Sequence, residues 1–382
     1  MKIALHALHF AEYAARLGLA LAEQGHSVLL LLGSANARDE LSEPLQRRLA
    51  EGCRGRLQCL RIDPAPLRDP RWLLRTWQMR RALADFEPDV IHMQETLSDP
   101  AFWSLWPGRA ACRVLTVHDP LPHSGADAHL TWRKRWYQRH QRAQAERLIV
   151  HGSSAAADLA SLLGPSAAPV QVVAHGVLGL DPGSASEPAA AACGPPARLL
   201  FFGRIEAYKG LGVLLQASAL LHRQGVAHSL HLAGRGSDID THRAALRQHP
   251  ALTLDERFIA PAELPALFGS CALVVLPYLD ATQSGVAAMA FAFGKPVVAT
   301  RTGAIPEVVI DQVNGLLVPP GDAPALAHAL QVLLGQPETL ARLGEQASRF
   351  AAEHLAWPRI AAVTLDGYRQ ALARRNPVPD RP

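Results

Sequence analysis

"LLFFGRIEAYKGLGVLLQA", residues 199–217, reads as a single strand–loop–helix unit. The apolar run stops at Gly203, a short polar loop follows, and the next segment carries apolar residues at Leu211, Leu214 and Leu215, one face of a helix. Arg204 and Lys209 flank the loop. Two cations at a strand-to-helix junction suit a diphosphate, because arginine offers a fork of donors and lysine a mobile point charge. The bland alternative is that both side chains are simply solvated.

A second stretch, "ATQSGVAAMAFAFGKPVVAT" (281–300), sharpens the choice. Val286 to Phe293 is uncharged and reads as a buried helix, Gly294-Lys295-Pro296 breaks it, and Val297 to Thr300 reads as a buried strand. Thr282, Gln283, Ser284 and Gly285 stand in front of the helix, all small or polar. Such residues leave the free N–H groups of a helix start reachable. Taken with Arg204 and Lys209, they outline an anion site with cations on one side and backbone N–H groups on the other.

Outward from these stretches the same alternation runs through the chain. Strands are expected at 2–5, 27–32, 89–93, 113–117, 147–151 and 170–174, and again at 198–202, 229–234, 272–278, 295–300 and 315–318. "EYAARLGLALAEQG" (12–25) is one of the helices between them, and "VNGLL" carries an Asn-Gly turn signal. Strands apolar throughout, separated by helices, imply parallel sheets covered on both faces. "GLDPGSASEPAAAACGPPA" (179–197), crowded with Gly, Pro, Ala and Ser, reads as a linker. The expected fold is α/β, with two tandem doubly wound, Rossmann-like parallel-sheet domains and ligand bound in an interdomain cleft. The expected boundaries are 1–178, a linker at 179–197, 198–350, a closing helix at 351–373 and a tail at 374–382.

Composition narrows the class. Hydrophobic residues make up 49% and charged residues 19% of the 382, which is ordinary for a globular chain of two domains. Residues 1–175 hold 21 Lys and Arg against 17 Asp and Glu, so the first half carries the whole net charge of +4, too little and too dispersed for nucleic acid. The five cysteines, Cys53, Cys59, Cys112, Cys193 and Cys271, form no C-x-x-C pair, which argues against a zinc site or a disulfide framework. "VLLLLGSANA" mimics the end of a signal peptide, but Glu12, Arg16, Glu23 and His26 interrupt the region before it. No uncharged apolar run reaches 18 residues, so no membrane span and a cytoplasmic protein are expected.

Gly203-Arg204, Lys209-Gly210, "LAGRG", "VVLPY", "FGKPVVATRTGAIPEVV" and "NGLLVPPGD" together resemble the carboxyl-terminal domain of glycosyltransferase family 4, retaining enzymes of the GT-B fold. "FAAEHLAWPRIAAVTLDGYRQAL" (350–372) resembles the family's closing helix, while "PDVIHMQ", "LTVHDP" and "VVAHGV" are looser matches in the first half. The resemblance implies a nucleotide-sugar donor, with Arg204 and Lys209 on its diphosphate in place of a divalent metal. It places Gly203 and the helix start from Thr282 through Gln283, Ser284 and Gly285 at the donor. It implies no cofactor and no bound metal. It also matches His118 to a histidine beside the donor sugar; read alone, His118 is equally a loop histidine capping a turn.

The chain departs from that family at two points. The family usually carries two glutamates eight positions apart, which fall here on Ala281 and Met289. Asp280, Thr282 and Gln283 are near enough to serve the sugar, but nothing evident replaces Met289. The first strand also lacks the family's Gly-rich turn and reads "HALHFAEY", with His6 and His9 as ordinary loop residues or facing an acceptor.

Weaker signals remain. Asp238-x-Asp240 reads as two solvated carboxylates on a loop, Glu307 favours a helix start after Pro306, and the 17 histidines show no ligand spacing. In "TWRKRWYQRHQRAQAER" (131–147) Trp132, Trp136, Arg139 and Ala143 fall on one helical stripe, with Arg135 and Arg142 beside it. Either the tryptophans pack on the sheet and the arginines are a solvated face, or the stripe meets an anionic membrane surface.

The expected function is retaining transfer of a sugar to a glycan or lipid-linked acceptor, in cell-surface or extracellular polysaccharide synthesis. The rivals are another GT-B enzyme such as a nucleotide-sugar epimerase, and a silent family member that binds a nucleotide sugar or a partner protein.

Overall fold

The computed structural model describes residues 1–63, 69–96, 111–121, 131–165, 167–180 and 196–375. These form two compact units, the first reaching Ala174 and taking in Trp357 onward, the second running from His175 to Ala356.

The first unit is built on seven parallel strands: β1 (Lys2–Ala7), β2 (Ser27–Gly33), β3 (Leu57–Ile62), β4 (Val90–Gln94), β5 (Cys112–Thr116), β6 (Arg147–Val150) and β7 (Val170–Val172). Their order in the sheet is β3-β2-β1-β4-β5-β6-β7. β1 and β4 are buried along nearly their whole length, as strands covered on both faces must be. The helix Trp357–Arg375 completes this unit. Its Tyr368 hydroxyl meets His92 Nδ1 at 2.6 Å, and its Val363 carbonyl accepts from Gln171 Nε2 at 2.7 Å. Burial drives the His92 imidazole down to about 3, so it is a neutral packing element.

The second unit carries six parallel strands: β8 (Ala197–Phe202), β9 (His228–Ala233), β10 (Leu252–Asp255), β11 (Leu273–Leu276), β12 (Val297–Thr300) and β13 (Gly315–Val318). They are ordered β10-β9-β8-β11-β12-β13. The chain leaves β8 in one direction and returns to β11 on its other side. The carboxyl ends of β8 and β11 therefore mark the topological switch point, where open α/β sheets bind ligands.

Two strands were not expected from the sequence, and both are sheet edges. β3 (LQCLRI) exposes Gln58, Cys59 and Arg61, and β10 (LTLD) exposes Thr253 and ends in Asp255, so neither shows the continuous apolar run of a central strand. The turn signalled by Asn314-Gly315 is present at residues 312–314, where the Gln312 N–H donates to the Gly315 carbonyl at 2.8 Å. The buried Asn314 side chain accepts from Ile310 N–H at 2.7 Å and donates to the Val308 carbonyl at 3.0 Å, and Gly315 opens β13. Asp238 begins a helix, Asp238–Gln248, rather than lying on a loop, and is buried beside His242. His6 is a buried residue of β1 rather than a loop residue, while His9 is exposed. Most of the expected linker lies outside the described residues.

Candidate functional site

Two loops leave the switch point of the second unit, and backbone bonds hold them together. The N–H of Leu279, after β11, donates to the Tyr208 carbonyl at 2.7 Å. Gly210, with φ at +72°, lies so close that a Cβ there would sit 2.0 Å from the Pro277 carbonyl oxygen. No other residue fits that approach.

This contact buries Lys209, which is 8% exposed. Its Nζ lies 5.0 Å from the centre of the Tyr278 ring, and among the described residues it has no carboxylate partner. Burial lowers its pKa to about 8; Tyr208 and Glu206 oppose that shift, and the charge of Arg204 adds to it. Arg204 itself is exposed at the start of the loop.

The helix Gly285–Ala292 approaches the same point. A Cβ built on Gly203 would lie 3.2 Å from Lys209 Nζ and 3.6 Å from Val286 Cγ2, so the lysine and the first helical turn converge on that glycine. Ser284 is the N-cap, its Oγ accepting from Ala287 N–H at 3.2 Å. That leaves the Gly285 and Val286 N–H groups with no acceptor among the described residues. Gly285 differs from Gly210: a Cβ there would make only ordinary contact, 3.4 Å from His175 Cε1. Packing in this unit does not demand glycine at 285, and the bare position leaves room for close approach to the backbone. Gln283 also faces inward, its Oε1 buried and without a partner among the described residues. Thr282 is tied by its carbonyl, which accepts from Ala304 N–H at 3.2 Å.

Both positions where glutamates were missing are buried and apolar. Ala281 is 5% exposed, with the backbone of Gly303 against its carbonyl. Met289 is 9% exposed and its sulfur packs beside Gly179. Two residues at the site carried no role in the sequence reading: Tyr278 under the ammonium, and His175 against the helix start. The motifs "VVLPY" and "VVAHGV" contain them, but only the fold shows what they face.

His118 belongs to the first unit. It is buried, stacked on Phe10 with ring centres 3.8 Å apart, and its Nε2 meets Gln94 Oε1 at 2.8 Å. Phe10, at the start of the helix Ala11–Glu23, takes φ 63°, a left-handed conformation at the place where the Gly-rich turn was missing. In the helix Trp132–Gln144, the two readings of the stripe each need correction. Trp132 and Trp136 are exposed rather than packed on the sheet, while Arg142 is buried and joined to Glu95 at 2.6 and 2.9 Å. Arg139 and Arg135 remain exposed.

Two tandem parallel-sheet units define a GT-B-like α/β protein. Family models agree: residues 11–177 match "Glycosyltransferase Family 4" and residues 196–336 match "Glycosyl transferases group 1". The chain belongs to this glycosyltransferase family. It is 36% identical over 247 residues to a D-inositol 3-phosphate glycosyltransferase of Saccharomonospora viridis, a match covering 60% of this chain and 57% of that protein. The chain thus spans little more than half the length of that relative. Sucrose-phosphate synthase from Thermosynechococcus elongatus superposes with a TM-score of 0.74 at 21% identity, covering 97% of this chain and 99% of the other. Anabaena HepE, in complex with UDP-glucose, superposes at 0.70 with 18% identity, covering 96% and 100%. At these identities the structural likeness speaks for the fold alone.

Proposed function

We propose that the protein is a retaining glycosyltransferase that moves a sugar from a nucleoside-diphosphate donor to a hydroxyl of a glycan or lipid-linked acceptor. The observation that carries this reading is Lys209, a lysine buried against a ring and without an ion-pair partner among the described residues. Removing an ammonium from water is costly, and a bound anion would supply the missing charge. A diphosphate would take the Lys209 ammonium and the Arg204 guanidinium on one side and the Gly285 and Val286 N–H groups on the other. No metal is needed to balance the leaving group in this scheme.

The chemistry would be front-face departure of the diphosphate through an oxocarbenium-like transition state, with positioning and leaving-group stabilisation as the catalytic terms. The Gln283 Oε1, buried and without a partner among the described residues, would accept from a sugar hydroxyl. The role beside the donor sugar that family resemblance implies for His118 belongs to the same proposal. UDP-glucose, the ligand in the HepE complex, is a first donor to try.

Incubation with a panel of nucleotide sugars tests the reading. Thermal stabilisation by one donor, followed by its slow hydrolysis or transfer in EDTA, is the expected result. Buried Met289 favours a second reading, a family member that binds a nucleotide sugar without turning it over. Binding without hydrolysis or transfer to any acceptor would select it.

A further inference from the structure

The six-residue strand β9 runs from His228 to Ala233, and Ala233 accepts from Gly203 N–H at the switch point. The other end of the strand, about 17 Å away at 3.3 Å per residue, holds a feature the donor site does not use. His222 from the last turn of the helix Leu211–Arg223, His228 at the start of β9, and His249 just after the helix Asp238–Gln248 converge there. One nitrogen from each lies within 4.8 Å of the others. The His222 and His228 rings are stacked with centres 4.2 Å apart.

The hydrogen bonds define which nitrogens are basic. His228 Nδ1 lies 2.9 Å from the Val226 carbonyl, which can only accept, so Nδ1 carries the proton and Nε2 a lone pair. His249 Nδ1 lies 3.2 Å from Ala251 N–H, which can only donate, so His249 is protonated on Nε2. Ser218 Oγ links the two Nε2 atoms, at 2.6 Å from His228 and 2.8 Å from His249. It donates to the first and accepts from the second. His222 Nε2 is buried and has no partner among the described residues. An unpaired buried nitrogen beside two others is unexplained by the hydrogen-bond network.

We propose that His222, His228 and His249 form a binding site for a divalent transition metal ion of the zinc type. Three neutral imidazoles suit zinc, copper or nickel rather than magnesium or calcium, which prefer oxygen. The Val226 carbonyl orients His228 as an outer-shell partner does in such sites. His222 and His249 are only partly buried, which gives the ion a way in from solvent. Coordination by His249 Nε2 moves its proton to Nδ1 and gives up the Ala251 contact, the longest bond in the network. The Ser218 hydroxyl then turns back to a carbonyl of its own helix. Water completes the coordination.

The full-length chain, stripped of metal with chelator and exchanged into chelator-free buffer, is titrated with ZnCl2 by calorimetry. Cobalt absorption serves as a second readout. The expected result is one ion per chain with a raised Tm. His222→Phe keeps the stacked ring but removes the unpaired nitrogen, so it should abolish one-to-one binding; His249→Gln should do the same if the phenylalanine variant misfolds. Ser218→Ala removes the competitor for two ligands and should tighten binding, whereas a purely structural network predicts only a less stable protein. Lys209→Ala, at the other end of the strand, should leave the zinc titration unchanged. Absence of saturable binding by the wild type, or binding that survives both histidine variants, overturns the proposal.

Discussion

Arg142 and Lys209 are both buried cations, each with less than a tenth of its surface exposed, one in each unit. Arg142 faces Glu95 across two hydrogen bonds and also donates to the Pro120 carbonyl at 3.1 Å. Burial pushes the Glu95 carboxyl up, and the Arg142 guanidinium pulls it back. Lys209 lies against the face of Tyr278 and forms no ion pair among the described residues. Lys295, also buried, at least gives its Nζ to the Gly269 carbonyl at 3.4 Å. The difference separates a charge paired within the fold from one with no ion-pair partner among the described residues.

Stability is the strongest way to break this comparison. Arg142→Met leaves Glu95 buried without its counter-charge and should cost about 3–5 kcal/mol, read from urea unfolding. Lys209→Met removes an uncompensated charge and should leave the protein as stable or more so. Equal losses in the two variants would mean that Lys209 has a structural partner after all.

Activity should reverse the ranking. Lys209→Ala and Arg204→Ala each remove charge-assisted bonds worth about 1.5–3 kcal/mol, so kcat/KM with the donor found in the panel should fall roughly 10- to 100-fold. Circular dichroism should stay at wild type. Full turnover in both variants would remove the diphosphate from this site.

A smaller effect sharpens the contrast through pH. The unfolded chain holds the Lys209 proton up to about 10.5, while the folded chain releases it near 8. Between those values the unfolded state binds more protons, so this group makes stability rise with pH, by at most about 1.4 kcal/mol per unit. The rise should be missing in Lys209→Met. A slope identical to wild type would show that the ammonium titrates as a solvated group.

The smallest effect concerns cations that are exposed on a helix surface. Exposed Arg135 and Arg139 lie on the helix that carries exposed Trp132 and Trp136, and each is worth about 1 kcal/mol near an anionic surface. Sedimentation with anionic vesicles should detect binding at low salt that fades as salt rises and weakens when both become Gln. No binding at low salt would favour a soluble acceptor. Arg142 is left out of this test because it holds the fold. Among the described residues no helix is long and apolar enough to cross a membrane.

The sequence showed some of this and hid the rest for physical reasons. Central strands were legible because burial on both faces leaves a continuous apolar run; edge strands β3 and β10 lack one. The cations at 204 and 209 were visible as residue types, but the burial of Lys209 depends on the Gly210–Pro277 contact between loops far apart in the chain. Helical spacing placed Arg142 next to the exposed stripe and could not reveal Glu95, which lies 47 residues away. The histidines at 222, 228 and 249 have no recognisable ligand spacing, since a helix end, a strand start and a second helix end bring them together.

The helix Trp357–Arg375 carries a consequence for how the molecule is made. It belongs to the unit containing β1 to β7, whose other residues are translated far earlier. Until it emerges, His92 lacks its tyrosine hydroxyl, and Tyr13 lacks the Trp357 ring that stands 5.1 Å from it. At ribosomal speeds of about 5–20 residues per second, the roughly 200 residues between Ala174 and the end of this helix take on the order of ten to forty seconds. Through that interval the first sheet waits with one flank open. The second unit, whose residues all precede Trp357, can close before the first is finished.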